Sequence, residues 1–229
     1  MSESANKPLA HETPEKSDFP GFKTALANSS IRGFGLAATN ALLATFFILF
    51  AIANAKSFLV NPRLSVFLIV VTEAIVAIFL VIRRNPEETQ HSWQTWSTTA
   101  LGTLAPFLLR PIDATADVLL GNIFQISGFA LQILALLALN RSLGLLPAYR
   151  GIKSKGMYGW VRHPLYLAYL ITLTGYFINN PSLANLIVIV SGTAFLVMRI
   201  HYEEALLFRY TDYVRYADKT RWRLIPAIW

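Results

Sequence analysis

The chain has 229 residues, of which 54% are hydrophobic and only 14% are charged, and its mean hydropathy is +0.45. Soluble domains carry about 25% charged residues, so the composition excludes an ordinary soluble protein and indicates one compact helical membrane domain. The net charge of +7 then reports topology and contact with anionic lipid, and no nucleic-acid partner is expected. The lack of cysteine excludes disulfides, thiolate zinc sites and cysteine nucleophiles.

The polar segment 1–34 contains prolines and has no apolar stretch near its start, so it does not resemble a cleaved signal peptide. We predict a polar N-terminal arm there, four spans within 35–140, and a cofactor-binding loop, a helical hairpin and an amphipathic tail within 141–229. His11 and His91 are expected to be exposed to solvent. The sequence holds no metal-binding, phosphate-loop or serine-hydrolase motif, and no metal is predicted.

Six segments approach the roughly 20 apolar residues that a membrane-spanning helix needs. They are Leu36–Ala55, Leu64–Ile82, Trp96–Leu109, Val118–Leu139, Leu165–Ile178 and Leu183–Met198. The third is short and contains Gly102 and Pro106, so five spans plus one re-entrant segment is the alternative. The last two are joined by a short uncharged turn and are predicted to form a helical hairpin. The predicted fold class is therefore all-α, a multi-pass helical bundle of about six spans.

Charge asymmetry favours six spans over five. With six spans, both termini and seventeen of the twenty Lys and Arg residues lie on one side, which the positive-inside rule makes cytoplasmic. The loop Arg141–Arg162 and the tail from Arg199 onward then share the cytoplasmic face. Because the tail mixes aromatic and basic residues, we predict an interfacial helix over Tyr202–Lys219, with the fold ending at Ile225-Pro226.

The residues able to do chemistry form two clusters that flank the predicted hairpin. They are Gly156-Met157-Tyr158-Gly159-Trp160-Val161-Arg162-His163-Pro164-Leu165-Tyr166 and Arg199-Ile200-His201-Tyr202-Glu203-Glu204. Pro164 suits the first position of a helix, where its missing N–H costs nothing. That places His163, a residue type that exchanges protons near neutral pH, at the mouth of the helix.

Helical periodicity puts further hydroxyl groups on one face of the fifth span. At 100° per residue, Tyr166, Tyr169, Thr172 and Tyr176 fall within an arc of about 120°. For Thr172 and Tyr176, ordinary interhelical hydrogen bonds explain the pattern as well as a site does. We predict that His163 and Tyr166 belong to a functional site.

Acidic residues give three separate hypotheses. Arg199 and Glu203 are spaced for an i, i+4 ion pair, yet two adjacent acids in a basic tail favour a site role for Glu203 or Glu204. Glu73 lies in the middle of the second span, where an ionisable group is either functional or a protonated acid bonded to a neighbouring helix. The remaining candidates, Asp113 and Asp117, are interpreted as helix N-terminal acids.

In this order and spacing, the residues resemble the isoprenylcysteine carboxyl methyltransferase family and its bacterial relatives, which are similar to phospholipid methyltransferases. The resemblance runs from Arg141 to the C-terminus. The matching residues are Gly156, Tyr158, Arg162, His163, Pro164, Tyr166, Arg199, Glu203, Glu204, Tyr213, Tyr216, Ile225 and Pro226. Two positions depart from the family pattern: Ala168 stands where many relatives have glycine, and Met157 replaces a common proline.

The resemblance implies methyl transfer from S-adenosylmethionine to a lipid or lipophilic small molecule, such as a prenylcysteine-type carboxylate, in a bacterial inner membrane. It implies that the cofactor binds on the cytosolic side. The cofactor-binding residues would be Gly156, Tyr158, Arg162, His163, Pro164, Tyr166, Tyr169 and His201, and the catalytic residues would be Arg199, Glu203 and Glu204.

The chemistry of this cofactor suits these side chains. Arg162 or Arg199 could hold its carboxylate in a bidentate fork, a glutamate could meet its ammonium group, and aromatic faces attract cations such as a sulfonium. A carboxylate acceptor needs no general base, whereas a thiol or amine would need one, for which His163, His201 or a glutamate could serve. The acceptor is expected to enter laterally from the bilayer.

Two other functions fit part of the sequence. A sterol-type reductase of related membrane architecture would bind NADPH, and its 2′-phosphate would need a cationic cluster. The tail could supply Arg209, Arg215, Lys219, Arg221 and Arg223 for this purpose. A small transporter could use Glu73 as an ion site, but no inverted repeat is visible, which argues against it.

Overall fold

The computed structural model describes residues 38, 41–42, 44–52, 54–56, 58–82, 88–89, 92–112, 116–144 and 146–229. By its internal contacts the chain divides into the units Met1–Thr39 and Asn40–Trp229, and the elements named below belong to the second unit. Several predictions fall outside the described residues. They are those on the arm 1–34, His11, His91, Asp113 and the side chain of Glu73.

Within the described residues the fold is all-α apart from one pair of two-residue strands. The helices are α1 (Ala44–Val60), α2 (Leu64–Ile82), α3 (Trp93–Leu104), α4 (Leu119–Leu139), α5 (Pro164–Asn179), α6 (Leu183–Leu207) and α7 (Thr211–Lys219). Short 3₁₀ turns lie at Ala105–Leu108, Asn140–Ser142 and Gly156–Gly159. Strand β1 (Glu88–Thr89) pairs antiparallel with β2 (Ala148–Tyr149). The predicted all-α class is confirmed.

Among the described residues, two helices, α4 and α6, are long and apolar enough to cross a membrane. The helices α1 and, within α2, Leu64–Phe79 are apolar but shorter. Large apolar side chains such as Leu119 and Val190 are exposed on their outer faces, which suits contact with lipid. Helix α3 has only twelve residues before the 3₁₀ turn that contains Pro106. Six crossings with cytoplasmic termini therefore stay a prediction.

The predicted tail helix over Tyr202–Lys219 has the correct end but the wrong start, because the segment is divided between two helices. Helix α6 continues past Met198 to Leu207, the chain then turns, and α7 occupies Thr211–Lys219. The Tyr213 hydroxyl on α7 donates a 3.2 Å hydrogen bond to Glu204 on α6. Nine residues of uninterrupted helix would separate these two positions by about 13.5 Å. The chain must therefore fold back between them, and the acidic cluster lies inside a long helix.

Helices α5 and α6 follow each other across a short turn, as predicted, but most of their packing is with other helices. Helix α5 packs mainly against α4, and α6 packs mainly against α3. The first residue of α5 is Pro164, in agreement with the predicted N-terminal position. The Ser182 side chain accepts a hydrogen bond from the Asn185 N–H and caps α6. The hairpin is therefore splayed, and its two helices leave space between them.

Glycines let the backbones of α4 and α5 approach each other closely. A Cβ at Gly128 would collide with the Thr172 hydroxyl, and a Cβ at Gly175 would lie 2.6 Å from both the Gln125 nitrogen and the Gly121 oxygen. Small residues at a helix crossing permit such contact, which stabilises helix pairs in lipid. This contact fixes α5, and therefore the residues at its N-terminus, relative to α4.

Gly175→Ala should lower the free energy of unfolding by about 1–3 kcal/mol, because the added methyl group meets backbone atoms that cannot move aside. Gly102→Ala on α3 is the matched control, since its Cβ would make an ordinary 3.4 Å contact with Phe195. The control should be neutral or slightly stabilising because alanine has the higher helix propensity. Thermal unfolding in detergent measures both, and equal midpoints for the two variants would contradict the close packing.

A buried polar network joins helix ends on the side of the fold opposite the two predicted clusters at Gly156–Tyr166 and Arg199–Glu204. The Arg63 guanidinium forms a 2.7 Å ion pair with Asp117 and also donates to the Asn179 carbonyl and the Asn180 side chain. Asp117 accepts further hydrogen bonds from the backbone and hydroxyl of Ser65. Asp117 precedes α4, as predicted, and the network ties the segments that lead into α2, α4 and α6.

Candidate active site

A cavity of about 240 Å³ reaches the space between α5 and α6. We call one part the polar end, lined by Tyr158, Arg162, His163, Tyr166, Arg199 and Glu203. We call the other part the apolar arm, lined among others by Phe47, Phe50, Pro106, Leu173 and Ile189. Arg199 and Ile189 are ten residues apart on α6, which corresponds to about 15 Å along the axis. The cavity can therefore hold a ligand that is polar at one end and hydrocarbon at the other.

Tyr166 occupies the centre of the polar end. Its hydroxyl donates a 2.8 Å hydrogen bond to a Glu203 carboxylate oxygen. The His163 ring stacks on the Tyr166 ring with centroids 5.5 Å apart, and the Arg199 guanidinium carbon lies 5.3 Å from the same ring's centroid. Since Arg199 and Glu203 lie on α6, Tyr166 lies on α5 and His163 is the N-cap residue of α5, the splayed hairpin builds this group of contacts.

The Arg199 guanidinium keeps part of its hydrogen-bonding capacity for a ligand. One Nη donates to the Gly144 carbonyl at 2.8 Å, and the buried Nε has no hydrogen-bond partner among the described residues. The i, i+4 ion pair with Glu203 is not formed, because Glu203 bonds to Tyr166 instead. A cation and a carboxylate that do not neutralise each other therefore both line the cavity.

Glu204 has a different environment from its neighbour in the sequence. It is buried, it does not line the cavity, and its carboxylate accepts hydrogen bonds from Arg162 at 2.9 Å and Arg223 at 2.7 Å. The Tyr213 hydroxyl at 3.2 Å and the His163 Nε2 at 3.3 Å complete its contacts. Burial raises the pKa of the Tyr213 phenol, and the nearby carboxylates raise it further, so this hydroxyl stays a donor. Glu204 thus joins α6, α7, the tail and the loop before α5.

Arg162 lines the cavity, but its guanidinium is bonded to the tail. Its Nε donates to the Thr220 carbonyl at 2.8 Å, and one Nη donates to the Arg221 carbonyl at 3.0 Å. The other Nη bonds to Glu204. The backbone N–H groups of Arg162 and His163 also donate to tail carbonyls. Of the two arginines predicted to hold a ligand carboxylate, only Arg199 has a buried nitrogen that makes no hydrogen bond among the described residues.

Three other predicted site residues lie outside the cavity lining. Gly156 has φ of +63°, the left-handed region that favours glycine, and it begins the 3₁₀ turn before α5. Pro164 starts α5, and the exposed His201 ring lies 5.6 Å from the Trp229 ring. By contrast, Tyr158 and Tyr169, which were also predicted to bind the cofactor, line the cavity. Gly156 and Pro164 therefore shape the backbone that carries the lining side chains.

The structure adds residues to the site that the sequence had not assigned a role. Tyr213 and Tyr216 of α7 line the polar end, and the Tyr216 hydroxyl donates to the Tyr158 carbonyl at 2.7 Å. Arg150 and Lys153 line it from the loop after β2. The tyrosines carried a signal, because their spacing matched the pattern quoted above. No sequence pattern pointed to Arg150 and Lys153, since only the fold shows which loop faces the cavity.

The basic residues of the tail do not form a cluster in the cavity. Arg209, Arg215, Lys219 and Arg221 are absent from its lining. Arg223 bonds to Glu204, and its guanidinium lies 5.6 Å from the Trp229 ring centroid. The tail cations therefore do not supply, within the described cavity, the phosphate site that the reductase alternative assigned to them.

Comparison with known proteins gives one assignment. Residues 118–209 match the model of the isoprenylcysteine carboxyl methyltransferase (ICMT) family. The predicted resemblance is thus confirmed over this range, which includes His163, Tyr166, Arg199 and Glu203. No curated protein matches the chain.

The ICMT match covers α4, α5 and α6, the helices that form most of the site. Of the two departures from the family pattern, Ala168 is fully buried, and its carbonyl oxygen would lie 3.0 Å from a Cβ built at Gly128. It does not line the cavity. The alanine therefore belongs to the contact between α4 and α5. Met157 lies within the 3₁₀ turn Gly156–Gly159.

Proposed function

We propose that this protein transfers a methyl group from S-adenosylmethionine to a lipophilic acceptor, such as a prenylcysteine-type carboxylate. The observation that carries the proposal is a single cavity that has unpaired charged groups at one end and an apolar arm at the other. The ICMT family match over residues 118–209 supports the same chemistry.

The polar end fits the amino-acid part of S-adenosylmethionine. The unpartnered Nε of Arg199 can donate to the carboxylate, and Glu203, which accepts only one described hydrogen bond, can accept from the ammonium group. The faces of Tyr158, Tyr166 and Tyr169 can attract a sulfonium cation. The bound cofactor would supply an electrophilic methyl group.

The protein's own contribution is then orientation and exclusion of water. The Glu204 contacts hold the tail over the loop before α5, which fixes the walls of the polar end. Positioning two reactants in line and removing water can provide much of the acceleration of a displacement reaction. If the acceptor is a carboxylate, no proton has to move, so His163 need not act as a base.

The apolar arm favours an acceptor with a hydrocarbon chain. Its lining includes residues of helices α1 to α6 and of the turn after α3, and it carries apolar side chains such as Phe50, Leu173 and Ile189. An acceptor dissolved in the bilayer would place its chain there and its reacting group near Tyr166. The positive-inside rule supports a polar end that faces the cytoplasm.

Incubating membranes that contain the protein with methyl-labelled donor should yield a labelled lipophilic product. Tyr166→Phe should lower kcat/KM by about ten- to a hundredfold, because a hydrogen bond to a charged group is worth about 1.5–3 kcal/mol and tenfold corresponds to about 1.4 kcal/mol. Tyr149→Phe is the matched control, since it removes a phenolic hydroxyl that donates to Asp212 at the surface. Absence of any labelled product from folded preparations that bind the donor would reject the reaction.

A further inference from the structure

The apolar arm contains a buried group of polar side chains that the proposed chemistry does not use. It comprises Thr72 on α2, Thr103 on α3, Gln132 on α4 and Thr172 on α5, and all four line the cavity. Gln132 is 1% exposed, and neither its amide nitrogen nor its amide oxygen has a hydrogen-bond partner among the described residues. The hydroxyl oxygens of the three threonines are likewise buried and unpartnered.

These four residues lie at a similar depth. Counted from the helix ends nearest the polar end, Gln132 is seven residues from the end of α4 and Thr172 is eight residues from the start of α5. Thr72 and Thr103 are each ten residues from the corresponding ends of α2 and α3. At 1.5 Å per residue these distances are about 11–15 Å. We call these four residues, which come from four helices and line the arm at a similar depth, the polar ring.

Leaving such groups unpaired is costly. A buried amide without hydrogen bonds loses the free energy of its hydration, and a protein in lipid cannot recover that energy from solvent. The same helix shows the usual solution, because buried Gln125 accepts a 2.9 Å hydrogen bond from Asn179. Gln132, two turns further along, has no such partner and faces the cavity instead. Its donor and acceptor are both available to a ligand.

We propose that the acceptor carries an uncharged hydrogen-bonding group, a hydroxyl or an amide, partway along its hydrocarbon chain, and that Gln132 recognises this group. Thr172 is six residues from Tyr166, so the group would lie about 9 Å from the reacting end. The proposal rests on the proposed function for the meaning of that end. It makes a plain hydrocarbon chain, such as an unmodified prenyl group, the poorer substrate, because such a chain would leave the amide unpaired. This narrows the lipophilic acceptor of the proposed function to one that differs from a simple prenylcysteine.

Binding of labelled octadecanoic acids to the protein in nanodiscs tests this inference. The probes are the plain acid and isomers with a hydroxyl beside the carboxylate, at mid-chain or at the terminal carbon. The wild-type protein should prefer the mid-chain isomer over the plain acid, and Gln132→Leu should reduce that preference about tenfold. The quantity compared between variants is the ratio of the affinity for the mid-chain isomer to the affinity for the plain acid. In this comparison, differences in how the probes partition into lipid cancel. The other two isomers should show no such dependence on Gln132.

Gln125→Leu is the matched control. It removes the same side chain from the same helix at a position that does not line the cavity, and it should leave the probe preference unchanged while lowering the thermal midpoint. Gln132→Leu should raise the midpoint, and Thr172→Val provides a second variant at the same depth. The inference would be overturned if the wild-type protein showed no preference for the mid-chain isomer. It would also be overturned if that preference survived both Gln132→Leu and Thr172→Val. In either case the polar ring would bind water and not the acceptor.

The outcome can be separated from that of the proposed function. Fatty-acid binding needs no methyl donor, so a mid-chain preference that depends on Gln132 would stand even if S-adenosylmethionine did not bind. Binding of the donor without that preference would reject only the recognition by Gln132.

Discussion

Glu204→Ala should destabilise the protein strongly, by about 3–5 kcal/mol, because it removes the carboxylate shared by Arg162 and Arg223. Breaking one partner of a buried ion pair leaves the other charge uncompensated. Total stability of folded proteins is about 5–15 kcal/mol, so much of the margin would be lost. In a chain of this size the thermal midpoint should fall by roughly 10 °C. Differential scanning in detergent measures this shift.

Glu203→Gln is the matched control for that loss. Glu203 accepts a hydrogen bond from the Tyr166 hydroxyl and forms no ion pair among the described residues. Its amide variant should therefore keep the thermal midpoint within about 2 °C and weaken donor binding instead. A Glu204→Ala variant as stable as the wild type would contradict the role given to the buried carboxylate. A reversed pattern, with Glu203 carrying the stability, would exchange the two roles.

The adjacent pair also shows what sequence could resolve. Two acids at the end of an apolar run pointed to a site, and the choice between them stayed open, because one residue of helix rotates a side chain by about 100°. Only packing shows which of these directions meets Arg162 and which meets the cavity. The i, i+4 spacing of Arg199 and Glu203 allowed an ion pair as the alternative to a site role, and that pair does not form, since Tyr166 on another helix bonds to Glu203.

The sequence predicted some helix boundaries correctly and others incorrectly. The apolar run Leu64–Ile82 gave both ends of α2, and Pro164 marked the start of α5. The end of α6 was missed because polar residues after Met198 end a hydropathy signal without ending a helix. The turn at Phe208–Tyr210 contains no glycine or proline, so the sequence has no helix-breaking residue that would mark it. Long-range bonds such as Tyr213 to Glu204 accompany the change of direction there.

The cavity was the least predictable feature. The sequence indicated a hairpin, but neither hydropathy nor turn residues indicate that α5 packs on α4 while α6 packs on α3. The glycines Gly128 and Gly175 matter only once the helices they join are known. Gln132 was passed over for the same reason, because a single amide in an apolar run carries meaning only when the structure shows that it lacks a partner.

Arg199→Leu should raise the dissociation constant of S-adenosylmethionine about thirtyfold or more. Removing one partner of a buried charged contact costs about 2–5 kcal/mol of binding, and each 1.4 kcal/mol is about tenfold. Arg215→Leu is the matched control, because it removes the same charge from an exposed position of α7 that does not line the cavity. It should leave the dissociation constant within about twofold. Isothermal titration in detergent measures both.

The choice of ligand sharpens this result. S-adenosylhomocysteine keeps the amino-acid carboxylate, whereas 5′-methylthioadenosine lacks it, so Arg199→Leu should weaken only the first. Equal weakening of both ligands would place the arginine near the nucleoside instead, and no weakening of either would remove it from the site. Because the Arg199 Nε is buried and unpartnered while Arg162 is bonded to the tail, the carboxylate-specific loss is the outcome that the geometry predicts.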